Sequence, residues 1–258
     1  MVDTQRIPGR IDAGFAGLRR LRTDVLEVGS FRPERLASEK RPAHPGFDVG
    51  DVDTSGTLTC VVRDASSGQR LGLSCAHVVG SDGAGEPGDA VLCPSGPVAQ
   101  VLGVMDRARI GALMRVGLLS PKEEDASANI DAAVFAPDEP GFLSAAIAVL
   151  GRPPRGIRNQ VSLGLPVVKV GAVSGKTTGD ITQLDLVGHL DYQGAKGPIT
   201  VPMQDLIGIS SFAVPGDSGA LVLDTSFAAV GVHIGSYQGI SVCIPMRRVL
   251  GAMDCTLE

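Results

Sequence analysis

Apolar residues in this chain fall in short runs, and turn residues separate almost every run from the next. Residues 57–62, Thr-Leu-Thr-Cys-Val-Val, alternate between two faces and are rich in β-formers, as a half-buried strand requires. Ser66-Ser67-Gly68 reads as a turn, and 71–75 as the returning strand of a hairpin. Further strands are expected at 24–29, 90–92, 98–104 and 130–135. Residues 109–119 fit either a strand or a short helix, and 121–129 form a polar loop. Gly151-Arg152-Pro153-Pro154-Arg155-Gly156 punctuates the chain as a linker would. Beyond it, short runs recur at 165–170, 179–186, 199–204, 206–210, 220–223, 229–234 and 240–244, followed by a short helix at 247–253.

Two successive sets of about six short strands predict an all-β fold built from two antiparallel barrels. The expected division is an N-terminal extension (1–45), a first barrel (46–150), and a second barrel with the C-terminal helix (151–258). Composition agrees. The 258 residues include 34 Gly and 17 Pro, enough for many turns, and a 43% hydrophobic content can fill a sizeable core. Net charge is −5 with the signs interspersed. The basic cluster at Arg19–Arg22 lacks interleaved aromatics, so it reads as a solvated face and not as a nucleic-acid site. No run of about 18 apolar residues predicts a membrane span. The N-terminus has no apolar core of a secretory leader, which points to a cytoplasmic protein. Five cysteines without CxxC spacing signal neither zinc nor a disulfide framework. Cys60 and Cys75 flank the first hairpin and either face each other or, with the rest, stay as buried thiols.

Three stretches carry chemistry. In Pro215-Gly216-Asp217-Ser218-Gly219-Ala220-Leu221-Val222 a serine sits in a glycine-flanked turn that enters a core strand. Such a turn is suited to aim backbone N–H groups at one point, and Gly216 and Ser218 would supply them to an oxyanion. In Leu73-Ser74-Cys75-Ala76-His77-Val78-Val79 a histidine ends an apolar strand, placed to serve as general base. In Ile130-Asp131-Ala132-Ala133-Val134-Phe135 a carboxylate lies inside an apolar strand. Burial of an unpartnered carboxylate costs several kcal/mol, so Asp131 requires a donor such as a histidine N–H. The order His77, Asp131, Ser218 is that of chymotrypsin-type enzymes and not of subtilisins or α/β-hydrolases.

LSCAHVV, NIDAAVF and GDSGALV resemble the three catalytic motifs of trypsin-like serine proteases. RPAHPGFDVG, TSGTLTCVVRD, GDAVLCPSG, VVKVGAVSGKTTGDIT and AAVGVHIGS are similar to stretches of the narrow-leaf type of plant trypsin-like proteins and their bacterial relatives. The resemblance spans most of residues 40–250, with GDSGA in place of the commoner GDSGG. It implies two six-stranded barrels with the active site in the cleft between them, and a serine endopeptidase acting on protein or peptide substrates without metal or cofactor. A catalytically silent binding module, or an esterase with the same triad, is the alternative. Asp217 is expected to be a buried acid held by local donors, since no activation site is evident.

By offset from Ser218, the resemblance puts Ser211, Phe212 and Ala213 on one wall of the primary specificity pocket and His233 and Ser236 on the other. VGVHIGS is similar to the pocket strand of glutamyl endopeptidases, whose histidine meets an acidic P1 side chain. His233 either takes that role, giving a preference for Glu or Asp, or packs in the core strand. Phe212 stands where a trypsin-like pocket would need an acid, which argues against cleavage after Lys or Arg.

Overall fold

The computed structural model describes residues 36–194 and 197–258. The strand expected at 24–29 lies outside them. Fourteen strands are present among the described residues. The first seven are β1 (Asp48–Val49), β2 (Gly56–Thr57), β3 (Cys60–Asp64), β4 (Arg70–Ser74), β5 (Ala90–Leu92), β6 (Arg109–Val116) and β7 (Ala133–Pro137). After them come β8 (Pro166–Gly171), β9 (Gly175–Gly194), β10 (Gly197–Ser210), β11 (Leu221–Asp224), β12 (Ala229–Tyr237), β13 (Ile240–Pro245) and β14 (Cys255–Leu257). β1 and β2 pair with each other; the other twelve make two antiparallel six-stranded sheets.

The N-terminal sheet has the order β14-β3-β4-β7-β6-β5, and the C-terminal sheet closes as β10-β13-β12-β11-β8-β9. The expected all-β architecture of two six-stranded sheets with a C-terminal helix (Met246–Ala252) is therefore present. Strand β14 follows that helix and returns to the first sheet, pairing Cys255 with Asp64 and Leu257 with Val62. Arg63 and Arg70 then hold Glu258 through ion pairs of 3.0 and 2.9 Å.

Two local expectations change. Residues 98–104 are not a strand: Gly96–Leu102 is helical, with Pro97 in its first turn and Gly103 in the left-handed conformation at its end. These are the start and stop signals of a short helix, and they outweigh an apolar run that alternation alone reads as β. Strand β7 starts at Ala133, so Asp131 precedes the strand and is not paired within it. Residues 109–119 resolve as a strand, Arg109–Val116.

Two cores form. The smaller lies among the strands of the closed barrel and contains Val167, Ile181, Ile207, Ile209, Phe212, Val222, Val230 and Cys243. The larger joins the two sheets, bringing Leu58, Leu73 and Val134 against Leu221, Val232 and Ile244. This shared core fixes the sheets face to face, and the segments that carry His77, Asp131 and Ser218 meet along its edge. All five cysteines are free and buried, so the Cys60–Cys75 pairing left open by the sequence is not formed. No helix among the described residues is long and apolar enough to cross a membrane.

Candidate active site

His77 sits on a one-turn helix, Ala76–Val79, directly after β4. Ala76, Val78 and Val79 are buried, so the turn is pinned by its apolar residues and leaves His77 as its one half-buried member. Asp131 is fully buried. It accepts hydrogen bonds from the His77 backbone N–H at 3.1 Å and from Nδ1 at 2.6 Å. Bonds to both backbone and ring of one residue fix the ring's orientation and assign the proton on Nδ1, which leaves Nε2 free as a base. Burial opposes charge on His77, but the Asp131 carboxylate and its hydrogen bond, with Asp82 further off, outweigh it and hold the pKa above the ordinary imidazole value.

Ser218 lies in the turn before β11, half-buried. Its backbone carbonyl accepts from Thr57 N at 2.7 Å, and the next residue, Gly219, donates from its N–H to the His233 carbonyl at 2.7 Å. The same carbonyl accepts the Cys75 thiol at 3.5 Å. The His233 carbonyl therefore links the residue after Ser218 to the residue two before His77, which brings the two motifs together across the sheets. Ser218 Oγ donates to the Ile234 carbonyl at 3.4 Å. Among the described residues no hydrogen bond joins Oγ to His77.

The turn is built around Asp217. Its Oδ1 accepts from Val173 N and Ser174 N at 3.1 and 3.0 Å. Its Oδ2 accepts from Ser174 Oγ at 2.6 Å, Val214 N at 3.1 Å and Lys169 Nζ at 2.9 Å. Both side chains of the Lys169–Asp217 pair are fully buried. Burial alone would raise the Asp217 pKa; the Ser174 and Lys169 bonds reverse that and lower it, so the acid is ionised. The expected local donors are thus in place, with a buried lysine added to them. With Asp217 N–H bonded to the Val214 carbonyl and the Gly216 carbonyl held by Thr57 Oγ1, the turn has one orientation. Among the described residues the N–H groups of Gly216 and Ser218 donate to no protein acceptor. Gly216 and Gly219 both have positive φ, 96° and 93°. A Cβ on Gly219 would also collide with the Thr57 carbonyl. The glycine frame of GDSGA is therefore a steric requirement.

The five pocket candidates are dispersed. Ser211 and Ser236 are exposed and Ala213 is half-buried. Phe212 packs in the barrel core, its ring edge-on to that of His233 at 6.2 Å. His233 is 2% exposed, and burial followed by the Lys169 charge pushes its pKa down to about 4. Its Nδ1 is buried without a hydrogen-bond partner among the described residues. Beside Ile234 and Ser236, a largely apolar groove of about 660 Å³ runs between β12–β13 and Leu186–Leu190 of β9.

Cys75, His77 and Asp131 place one potential metal donor each within 4.8 Å of one another. Burial raises the Cys75 thiol well above its usual pKa, and Nδ1 is already spent on Asp131. The Cys75 thiol and His77 Nδ1 therefore serve hydrogen bonds and not metal ligation.

Lys169 and Tyr192, which touch this site, drew no notice in the sequence. Lys169 interrupts the apolar run Val167-Val168-Lys169-Val170, and a lysine there needs a buried anion for the same reason that Asp131 needs a donor.

No protein-family model and no curated protein matches the chain. Solved structures do. Nocardiopsis protease superposes with a TM-score of 0.60 at 17% identity, over 83% of this chain and 98% of its own. A glutamic acid-specific serine protease, described as using a novel histidine triad in substrate binding, gives 0.57 at 14%, over 84% and 100%. Cellulomonas bogoriensis chymotrypsin gives 0.53 at 17%, over 83% and 97%. The chain has the fold of these bacterial chymotrypsin-type proteases.

Proposed function

We propose that this chymotrypsin-fold chain is a serine endopeptidase that hydrolyses peptide bonds through an acyl-enzyme on Ser218. One observation carries the reading: a buried, doubly bonded Asp131–His77 pair beside a serine turn whose Gly216 and Ser218 amides are unspent. His77 Nε2 takes the Ser218 proton as Oγ attacks the scissile carbonyl. The carbonyl oxygen becomes negative and is received by the two amides. His77, now cationic against Asp131, gives the proton to the leaving amine, and water repeats the sequence on the ester. Ser218 Oγ reaches His77 by turning away from the Ile234 carbonyl, a bond already long at 3.4 Å. Catalytic hydrogen bonds often close only with substrate bound.

His233 governs the P1 reading. A neutral imidazole carries one N–H and offers a carboxylate at most one uncharged donor. A P1 carboxylate would be held far better by the protonated ring, which a pKa near 4 disfavours at neutral pH. The preference for Glu or Asp is therefore an acid-pH property in this reading. At neutral pH the burial of Phe212 and His233 supports a mid-sized apolar P1 side chain.

The test is fluorophosphonate labelling together with peptide-library cleavage, each compared with Ser218→Ala. Labelling and cleavage that vanish in the variant support the peptidase. An unlabelled wild-type protein, with no cleavage, would leave a binding module with a protease fold.

A further inference from the structure

The β9–β10 hairpin is far longer than its barrel uses, at 20 and 14 residues. It bends where the register shifts between Met203 and Leu206, next to Asp185 and Asp205, both with positive φ (54° and 56°). On the barrel side of the bend, Ile181, Ile207 and Ile209 fill the barrel's own core. On the far side, Tyr192, Val201, Met203 and Leu206 are buried in the core shared with the N-terminal sheet. The outer half is thus an arm of one sheet folded onto the other.

Its attachments flank the proposed catalytic pair. Asn129, two residues before Asp131, donates from Nδ2 to the Pro202 carbonyl at 2.8 Å. Gln193 N–H donates to Asp82, five residues after His77, at 2.6 Å. Between these ties lies Tyr192, 2% exposed, with its ring tilted 56° to that of His77 at 6.4 Å. Its hydroxyl is buried without a hydrogen-bond partner among the described residues. Asp131 is the first charged group to act on it, and that charge, after burial, pushes the phenol pKa up, so it stays a neutral donor.

Asp131 has the converse shortage. An ionised carboxylate offers about four acceptor positions. The well-formed bonds to Asp131 come from His77 N and Nδ1, while the neighbouring Cys75 thiol is directed at the His233 carbonyl. A buried donor without an acceptor therefore faces a buried acceptor with room for a donor.

Resting on the peptidase reading above, we infer that Tyr192 is a positioning residue for the His77–Asp131 pair. The arm seats the ring against His77, and the hydroxyl donates to Asp131 when the histidine carries charge. The donated bond keeps the proton on His77 and fixes the carboxylate that orients it. The groups facing His77 are Asp131, Asp82, the neutral Cys75 thiol, Tyr192 and, further off, His233.

The test is Tyr192→Phe, which keeps the ring and removes the donor, with Tyr192→Ala beside it. Two readouts are compared with wild type: steady-state kinetics across pH, and the His77 ring titration by NMR. In Tyr192→Phe, kcat falls about tenfold, as for loss of a hydrogen bond to a charged group, and KM is unchanged. The His77 titration moves downward, because the bond that forms when the ring is charged, and so stabilises the imidazolium, is gone. Tyr192→Ala lowers kcat further. An unshifted His77 titration in Tyr192→Phe overturns the inference, whether or not the wild-type protein cleaves peptides. Failure of the peptidase reading is seen separately, as absence of fluorophosphonate labelling in wild type.

Discussion

Replacing Lys169 by Met keeps most of the stem's volume and removes the cation from a pair with no solvent access. Breaking a buried ion pair from one side costs about 3–5 kcal/mol, because the remaining charge is uncompensated. The lower end applies here. Asp217 keeps four donors, Val173 N, Ser174 N, Ser174 Oγ and Val214 N. The variant also escapes the burial cost that holds the Lys169 pKa below its ordinary value. A loss of about 3 kcal/mol is a large share of the 5–15 kcal/mol typical of folded proteins, and urea unfolding reads it directly. The pH dependence identifies the cause. The Asp217 pKa is depressed in the folded state, so its contribution is present above the unfolded value and lost as pH falls through the folded one. Without Lys169 the depression is smaller, so the deficit of the variant should persist from pH 7 to about pH 4 and narrow only below it, as pH falls through the depressed folded values. Lys169→Met/Asp217→Asn, with no buried charge, should recover much of the stability. Fluorophosphonate labelling should slow in the single variant, because Val214 N and Asp217 frame the turn that presents the Gly216 amide. A deficit below about 1 kcal/mol at pH 7, or one that fails to narrow as pH falls below about 4, would refute the argument.

Other outcomes follow from the same geometry. Ser218→Ala and His77→Ala should each lower kcat by a factor on the order of 10⁶, as in subtilisin, and Asp131→Asn by about 10⁴ through the wrong tautomer; residual turnover of purified Ser218→Ala near wild type would falsify the nucleophile. Because the His77 pKa is raised and the neutral ring is the base, the acid limb of kcat/KM should lie above pH 6.5 and move down in Asp131→Asn; a limb below 6 in wild type would contradict the pairing. Gly219→Ala should abolish labelling or folding, since its Cβ meets the Thr57 carbonyl at a positive φ; a soluble, fully labelled variant would show that the turn is not fixed. Cleavage after Glu should rise relative to Leu as pH falls toward 4, and His233→Ala should erase that rise; a pH-independent P1 profile would leave His233 as a core residue.

The groups proposed to do chemistry are easier to read in the sequence than the groups that hold them. Each of His77, Asp131 and Ser218 sits where burial or turn geometry makes its residue type costly, and cost is visible in a string of residues. Lys169 was legible by the same rule and passed over. Tyr192 was not. A tyrosine in an alternating strand is ordinary, and only the bend at Asp185 and Asp205, with its shift of register, carries it to the other sheet. The helix at Gly96–Leu102 was hidden by period: seven residues do not distinguish a helix from a strand by apolar spacing, and its caps decide the matter. The direction of the pocket side chains is hidden in the sequence for a different reason. Offset from Ser218 places a residue along the chain, whereas the direction of its side chain depends on which core claims it, and Phe212 is claimed by the barrel.

Strand β14 binds residues 255–257 to the first hairpin, and Arg70 meets Glu258 across 188 positions. During synthesis the N-terminal sheet stays one strand short, and the edge of β3 stays unpaired, until residues 255–257 have emerged. The helix carrying His77 and the turn carrying Ser218 thus belong to a sheet pair that closes last. Contacts of such long sequence separation slow folding, so the proposed centre would be completed only after residues 255–258 are made. Removing residues 255–258 should delay or prevent that completion while leaving His77, Asp131 and Ser218 in the sequence.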